Sequence, residues 1–209
     1  MRTARFTTAP ARACAIALAA LLSGACTNTV IPPAEPADPA TAFLLDHGRH
    51  ASLILESAEG MTRYAWGDWD YYALNRTGPF RASGTLFGAN QAGLGRKRLP
   101  GPARRAPVRR QVAVPIEALW RIDVPGQRAR RLHERLDRRF RAERATLTAN
   151  PLYDLEFVQD ARPYNVAGNS NHRVGAWLRA LGCEVRMAGP FSSWRVESPP
   201  AGAAGNRGR

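Results

Sequence analysis

Two stretches of this chain carry side chains whose types and spacing could do chemistry together. The first holds His47 and His50 either side of Gly48, at the head of the apolar run Ala51–Leu55. The second is Asn169, Ser170, Asn171 and His172, directly before an apolar stripe. A serine at a helix start gains from the free backbone N–H groups and the positive end of the helix dipole, which favour a developing anion. A histidine on a neighbouring strand could take its proton. Ser170 would be the nucleophile and His50 the base, with Asp68 as a polar partner. Serine is a weaker nucleophile than cysteine unless base and oxyanion hole are well arranged. The same residues also fit a plainer role, because Asn and Ser are favoured helix caps.

The elements that must position these groups follow from periodicity. Val174, Trp177, Leu178 and Leu181 recur at i, i+3, i+4 and i+7, one helical stripe, and Gly182 suits a left-handed C-cap. Ala42–Leu45 and Ala51–Leu55 read as strands meeting at Gly48, or as one long bent strand. Alternation puts His50, Ser52 and Ile54 on one face and Ala51, Leu53 and Leu55 on the other; in a regular strand His47 would face away from His50. Met61–Trp66 is a third strand. Asp68 and Asp70 then open a short helix with Tyr71, Tyr72 and Leu74. Phe80–Asn90 is a further helix candidate. The proline-broken basic stretch Arg96–Arg110 reads as a solvated loop. Gln111–Pro115 and Leu119–Val124 read as strands, and Pro125 opens a helix to about Arg144 with Ala129, Leu132, Leu136 and Phe140 inward. His133 on that helix is expected at the surface. Ala145–Thr148, Tyr153–Val158, Glu184–Met187 and Ser192–Val196 complete the strand candidates.

The chain has 209 residues, 44% of them hydrophobic, which suits one domain with a real core. Its net charge of +13 comes almost wholly from arginine, Lys97 being the only lysine. Such a charge suggests contact with anions, and a GC-rich coding bias that turned Lys into Arg accounts for it equally well. Nucleic acid is not expected, because no basic motif interleaved with aromatics appears and the N-terminus reads as an export signal. Arg2, Arg5 and Arg12 precede the apolar run Ala13–Leu22, and Ser23-Gly24-Ala25 precede Cys26. This is a signal peptide over residues 1–25. The run LLSGAC is similar to a bacterial lipobox, with Ser23 where leucine is usual, and implies lipid on Cys26; an ordinary signal peptidase could cut the same bond. Residues 26–40 then read as a Pro-rich tether, 41–197 as one globular domain and 198–209 as a disordered tail. The expected place is the periplasmic side of an envelope membrane, with anionic lipid, lipopolysaccharide or peptidoglycan as candidate partners. Of three cysteines, Cys14 falls in the signal and Cys183 is left alone, so no disulfide and no Cys-based metal site is expected. No cofactor or metal is expected, although His47, His50 and His172 could meet through tertiary folding.

A nucleophile at a helix start facing a strand histidine is the layout of papain-like hydrolases. Three pieces in order resemble domain-of-unknown-function family 2459, described as hypothetical proteins of the urease region. They are His47-Gly48-Arg49-His50, Tyr64-Ala65-Trp66-Gly67-Asp68-Trp69-Asp70-Tyr71-Tyr72, and Asn169-Ser170-Asn171 followed by Leu178-Arg179-Ala180-Leu181-Gly182. The family pattern is similar to H-G-x-H-T-G on a strand, F-G-W-G-D-x-D-F-Y, and N-C-N before a helix ending L-R-x-A-G. The resemblance implies an α+β fold, a mainly antiparallel sheet packed against helices, in a permuted papain-like architecture close to the NlpC and lecithin-retinol acyltransferase types. It matches His50 to the strand histidine and Ser170 to the cysteine, and makes His47, Trp66, Asn169, Asn171 and His172 candidate binding residues. Serine in place of cysteine leaves two readings: a cleft that binds without catalysis, or a serine-variant envelope hydrolase or acyltransferase. A structural role without a cleft is the third.

Overall fold

The computed structural model describes residues 27–48, 50–76, 90–165, 168–189 and 193–199. Signal, Cys26, the Phe80–Asn90 helix candidate up to residue 89 and the last ten residues lie outside them.

The fold is α+β. Seven antiparallel strands form the main sheet in the order β6-β2-β3-β4-β5-β8-β7. They are β2 (Pro39–Asp46), β3 (Ala51–Ser57), β4 (Gly60–Asp68), β5 (Asn90–Leu99), β6 (Ala118–Pro125), β7 (Thr148–Asn150) and β8 (Leu155–Tyr164). Period-2 alternation divides each strand between the two faces. Leu44, Leu53, Leu55, Trp66 and Leu94 fill one face, beneath helices α2 (Gly126–Ala142) and α3 (Ser170–Ala180). Phe43, Leu45, Ile54 and Leu99 fill the other, beneath the short helix α1 (Arg105–Gln111) through Val108. The expected stripe of α2 is buried at all four positions, Ala129, Leu132, Leu136 and Phe140. α3 ends as expected: Gly182 has φ +96°, and the Cys183 N–H donates back to the Leu178 carbonyl at 3.1 Å. Among the described residues no helix is long and apolar enough to cross a membrane.

A second sheet of three strands, β10-β1-β9, joins β1 (Thr27–Ile31), β9 (Glu184–Arg186) and β10 (Ser193–Val196). The strand β1 corrects the tether. It is central, parallel to β10 and antiparallel to β9. Val30 is fully buried, and the Asn28 side chain accepts from the Ala188 N–H at 3.0 Å. The prolines that suggested a tether begin only at Pro32, after a β-branched run that suits a strand.

The basic stretch is also corrected. Arg96–Leu99 ends β5, and Arg105–Gln111 is helical. Arg96 and Lys97 are paired rather than solvated: Arg96 points beneath α2, pairs with Asp137 and stacks over Phe140 at 3.9 Å, while Lys97 points the other way to Asp154; Arg98, Arg104, Arg105, Arg109 and Arg110 are exposed, as expected. Gln111–Pro115 is therefore the end of α1 and an irregular link, not a strand. A 3-10 turn, Arg144–Thr146, takes the first half of the expected strand Ala145–Thr148, and Thr148 begins β7. His133 is half-buried and shares a hydrogen bond with the Tyr64 hydroxyl at 3.2 Å.

The start of α2 is held by close backbone approach. The Gly126 N–H donates to the Asp38 carbonyl at 2.8 Å, and a Cβ on Gly126 would stand 2.4 Å from that oxygen. Gly126→Ala is expected to cost about 1–3 kcal/mol, as overpacking against backbone does. Urea unfolding checks this; a variant as stable as wild type would show that the Asp38 turn yields freely.

Candidate functional site

The two chemistry-bearing stretches meet the sheet at one end. β2 finishes at Asp46, and β3 begins opposite it at Ala51. Between them the His47 N–H donates to the His50 carbonyl at 2.9 Å, which closes a tight hairpin. Gly48 takes φ +89° in this turn, a conformation that favours glycine. The hairpin changes the expected facing of the histidines. They are cross-strand neighbours on one face, with ring centroids 6.4 Å apart, rather than residues three apart in one strand on opposite faces.

That face is the one turned away from α2 and α3. Ala51 packs in the helix-side core, so His50 and Ser52 point to the other side. The His50 ring lies 4.7 Å from the Tyr72 ring, and the Tyr72 ring covers Gly67 so closely that a Cβ there would stand 2.4 Å from Cδ2. Tyr72, Tyr71 and Tyr153 continue as an aromatic cluster.

His47 sits in a half-buried polar knot that periodicity gave no sign of. Its Nδ1 donates to the Pro115 carbonyl at 2.6 Å, since a carbonyl can only accept. Nε2 is then the acceptor. It lies 2.9 Å from the Ser52 hydroxyl and 3.3 Å from Arg63 Nη2. Arg63 also donates Nε to Ser52 at 3.1 Å and Nη1 to the Tyr153 carbonyl at 3.3 Å. A serine bonded to a carbonyl-oriented histidine looks like a dyad, but Ser52 is fully buried and Arg63 is 2% exposed, so no substrate reaches them. Burial, then Arg63, lowers the His47 pKa to about 4. Burial, then His47 and Arg63, lowers that of His50 to about 3. His50 as a residue is partly exposed, whereas its Nδ1 is enclosed and has no hydrogen-bond partner.

Ser170 lies on the opposite face, at the first turn of α3, which packs over β3 and β4. Asn169 caps the helix and accepts from the His172 N–H at 3.1 Å; His172 Nδ1 donates to the same oxygen at 3.1 Å. Asn171 accepts from Trp194 Nε1 at 3.2 Å, and the Trp194 N–H donates to Asp46 at 3.1 Å. These bonds tie the helix start to β10 and to the hairpin. They give Asn169, Asn171 and His172 structural partners. Ser170 is 3% exposed. Among the described residues no hydrogen bond joins it to a histidine.

Asp68 is a cap rather than a partner of His50. Its carboxylate accepts from the Tyr71 N–H at 2.8 Å and starts the π-helical turn Trp69–Ala73; burial raises its pKa. Trp66 is fully buried, 5.4 Å from the Tyr164 ring, with the Arg173 guanidinium 4.7 Å from its ring centre. Among the described residues no three His, Cys, Asp or Glu side chains group so as to hold a metal ion. Cys183 is free and buried, its thiol pushed up to about 12 by burial.

The arrangement does not favour proton transfer between Ser170 and His50. The sheet stands between the face each occupies. Holding a proton on His50 at pH 7 would also cost roughly 5 kcal/mol at about 1.36 kcal/mol per pKa unit, so it is a poor base. No protein-family model matches the chain, and searches of curated proteins and of solved structures return no similar protein.

Proposed function

We propose that this chain is an exported envelope lipoprotein, held to a bacterial membrane by lipid on Cys26, whose fold keeps a permuted papain-like layout but binds rather than cleaves. The resemblance of the His47–His50, Tyr64–Tyr72 and Asn169–Gly182 stretches to family 2459 supports the lineage. The antiparallel sheet with α3 starting at its end is compatible with that layout. The observation that carries the non-catalytic reading is the facing of His50, which stacks on Tyr72 across the sheet from α3. A nucleophile needs its base within hydrogen-bond reach.

Treatment of the purified protein with a fluorophosphonate, followed by intact-mass measurement, tests this reading. No adduct is expected under conditions that fully label a serine hydrolase. A stoichiometric adduct that disappears in Ser170→Ala would restore the hydrolase alternative. Anchoring is tested separately by incorporation of labelled palmitate, which Cys26→Ser should abolish.

A further inference from the structure

The two edges of the main sheet differ. β7, at one end, has three residues, a length that offers little to a further strand. β6, at the other, has eight, and among the described residues it pairs with β2 alone. Its register fixes which backbone groups point outward. Gly126 and Asp38 continue the β6–β2 register, and the Gly126 N–H donates to the Asp38 carbonyl. Antiparallel strands alternate, so Val124, Ile122 and Trp120 also direct their backbone groups at β2. Asp123, Arg121 and Leu119 direct theirs away from the sheet. The Leu119 carbonyl is already engaged, accepting from Arg105 Nη1 at 3.1 Å. Open edges are commonly blunted by charge, which repels a second copy when the charges share a sign. Here Arg121 and Asp123 have opposite signs and stand two apart on one face, their side chains 52% and 50% exposed and paired with each other at 3.0 Å.

We propose that β6 pairs antiparallel with β6 of a second copy of this chain, about a two-fold axis at Ile122. That register sets Arg121 opposite the partner's Asp123, and the axis makes the same pair twice. Both residues direct their N–H and C=O groups outward, so each pair also exchanges backbone hydrogen bonds. An axis at Arg121 would bring two arginines face to face, and an axis at Asp123 two aspartates, both unfavourable. The ends of the ladder agree. Leu119 comes opposite the partner's Pro125, which has no N–H to give, and the Leu119 carbonyl is the one that Arg105 already serves. On the helix side the half-buried Trp120 meets the partner's Val124 and gains cover. The inference does not depend on export, on lipidation or on the catalytic state of Ser170.

Sedimentation equilibrium of the purified protein over a concentration series tests this, with urea midpoints to check folding. A monomer–dimer equilibrium is expected. Arg121→Asp sets aspartate opposite aspartate, and Asp123→Arg sets arginine opposite arginine. Each should weaken the dimer about tenfold or more, although the two move the net charge in opposite directions. Both positions are half exposed, so the urea midpoints should not move. The double exchange, Arg121→Asp with Asp123→Arg, should restore the dimer. An equimolar mixture of the two single variants should form a heterodimer, since their charges are again complementary. A protein that stays monomeric throughout overturns the pairing and leaves the edge to an extended segment of a different chain. Association that both single variants retain overturns it too, because the contact then lies elsewhere. So does a loss that the double exchange fails to restore.

Discussion

Arg63→Met should destabilise the fold by about 3 kcal/mol or more, the cost of breaking a buried charged network by removing one member. The guanidinium gives three hydrogen bonds inside the sheet's outer face, to Ser52, His47 and the Tyr153 carbonyl. Methionine fills much of the volume but donates nothing. The Tyr153 carbonyl and the Ser52–His47 pair are then left short of a donor, and Ser52 is fully buried. Asp154 is the nearby carboxylate that favours the charge, and it is already held by Lys97 and by the Ala113 N–H. Urea unfolding of Arg63→Met, Ser52→Ala and the double variant measures the coupling. The double variant should cost less than the sum, because serine no longer needs the donor. A single Arg63→Met within about 0.5 kcal/mol of wild type, the range of an ordinary surface change, would show that the knot contributes nothing.

Stability should fall as the solution is acidified from pH 7 to pH 4, by several kcal/mol. The sign follows from the histidines. In the unfolded chain both titrate near 6.5, whereas in the fold His47 is lowered to about 4 and His50 to about 3. Below pH 6.5 the unfolded chain therefore binds protons that the native state refuses, and each unit of that gap is about 1.36 kcal/mol per group. The contribution is complete above pH 6.5, shrinks through the window down to about pH 4, and continues to about pH 3 for His50. Asp68 works in the other direction, since its raised carboxyl takes a proton more readily in the fold. The variant His50→Phe separates the two, because phenylalanine keeps the stack on Tyr72 and cannot titrate. Urea midpoints at pH 7.5 and pH 4.5 should differ less in this variant than in wild type. Equal pH dependence in both would mean that His50 stays neutral at no cost, contrary to its burial.

Strands β2, β3, β4 and β6, part of β8, and both longer helices were legible because their signals are local, whereas β5 and β7 were not. Alternation within Ala42–Leu45 and Ala51–Leu55, the stripe of α2 and the glycine that ends α3 each decide a conformation from neighbours in the chain. What escaped depended on partners far away. Arg96 looks solvated until Asp137 and Phe140 are brought to it, and Arg63 looks like a strand's polar face until His47 and Ser52 are. The facing of His50 relative to Ser170 was hidden for a sharper reason. A helix start and a strand histidine can both be read from the sequence, but the facing of the histidine turns on hairpin register. One residue more or fewer in the His47–His50 turn would have swapped every side chain of β3 to the other side.

If Cys26 carries lipid, the position of β1 limits how far this domain could stray from a membrane. A fifteen-residue tether would let it range about 50 Å from its anchor. Instead the first strand begins at Thr27, the residue after Cys26, and lies in the middle of a sheet closed by the last strand, β10. Lipid on Cys26 would therefore leave no slack. The domain would then sit close to the headgroups, with the β10-β1-β9 sheet nearest the anchor. A flexible insert between Cys26 and Thr27 would free it to turn and to reach outward.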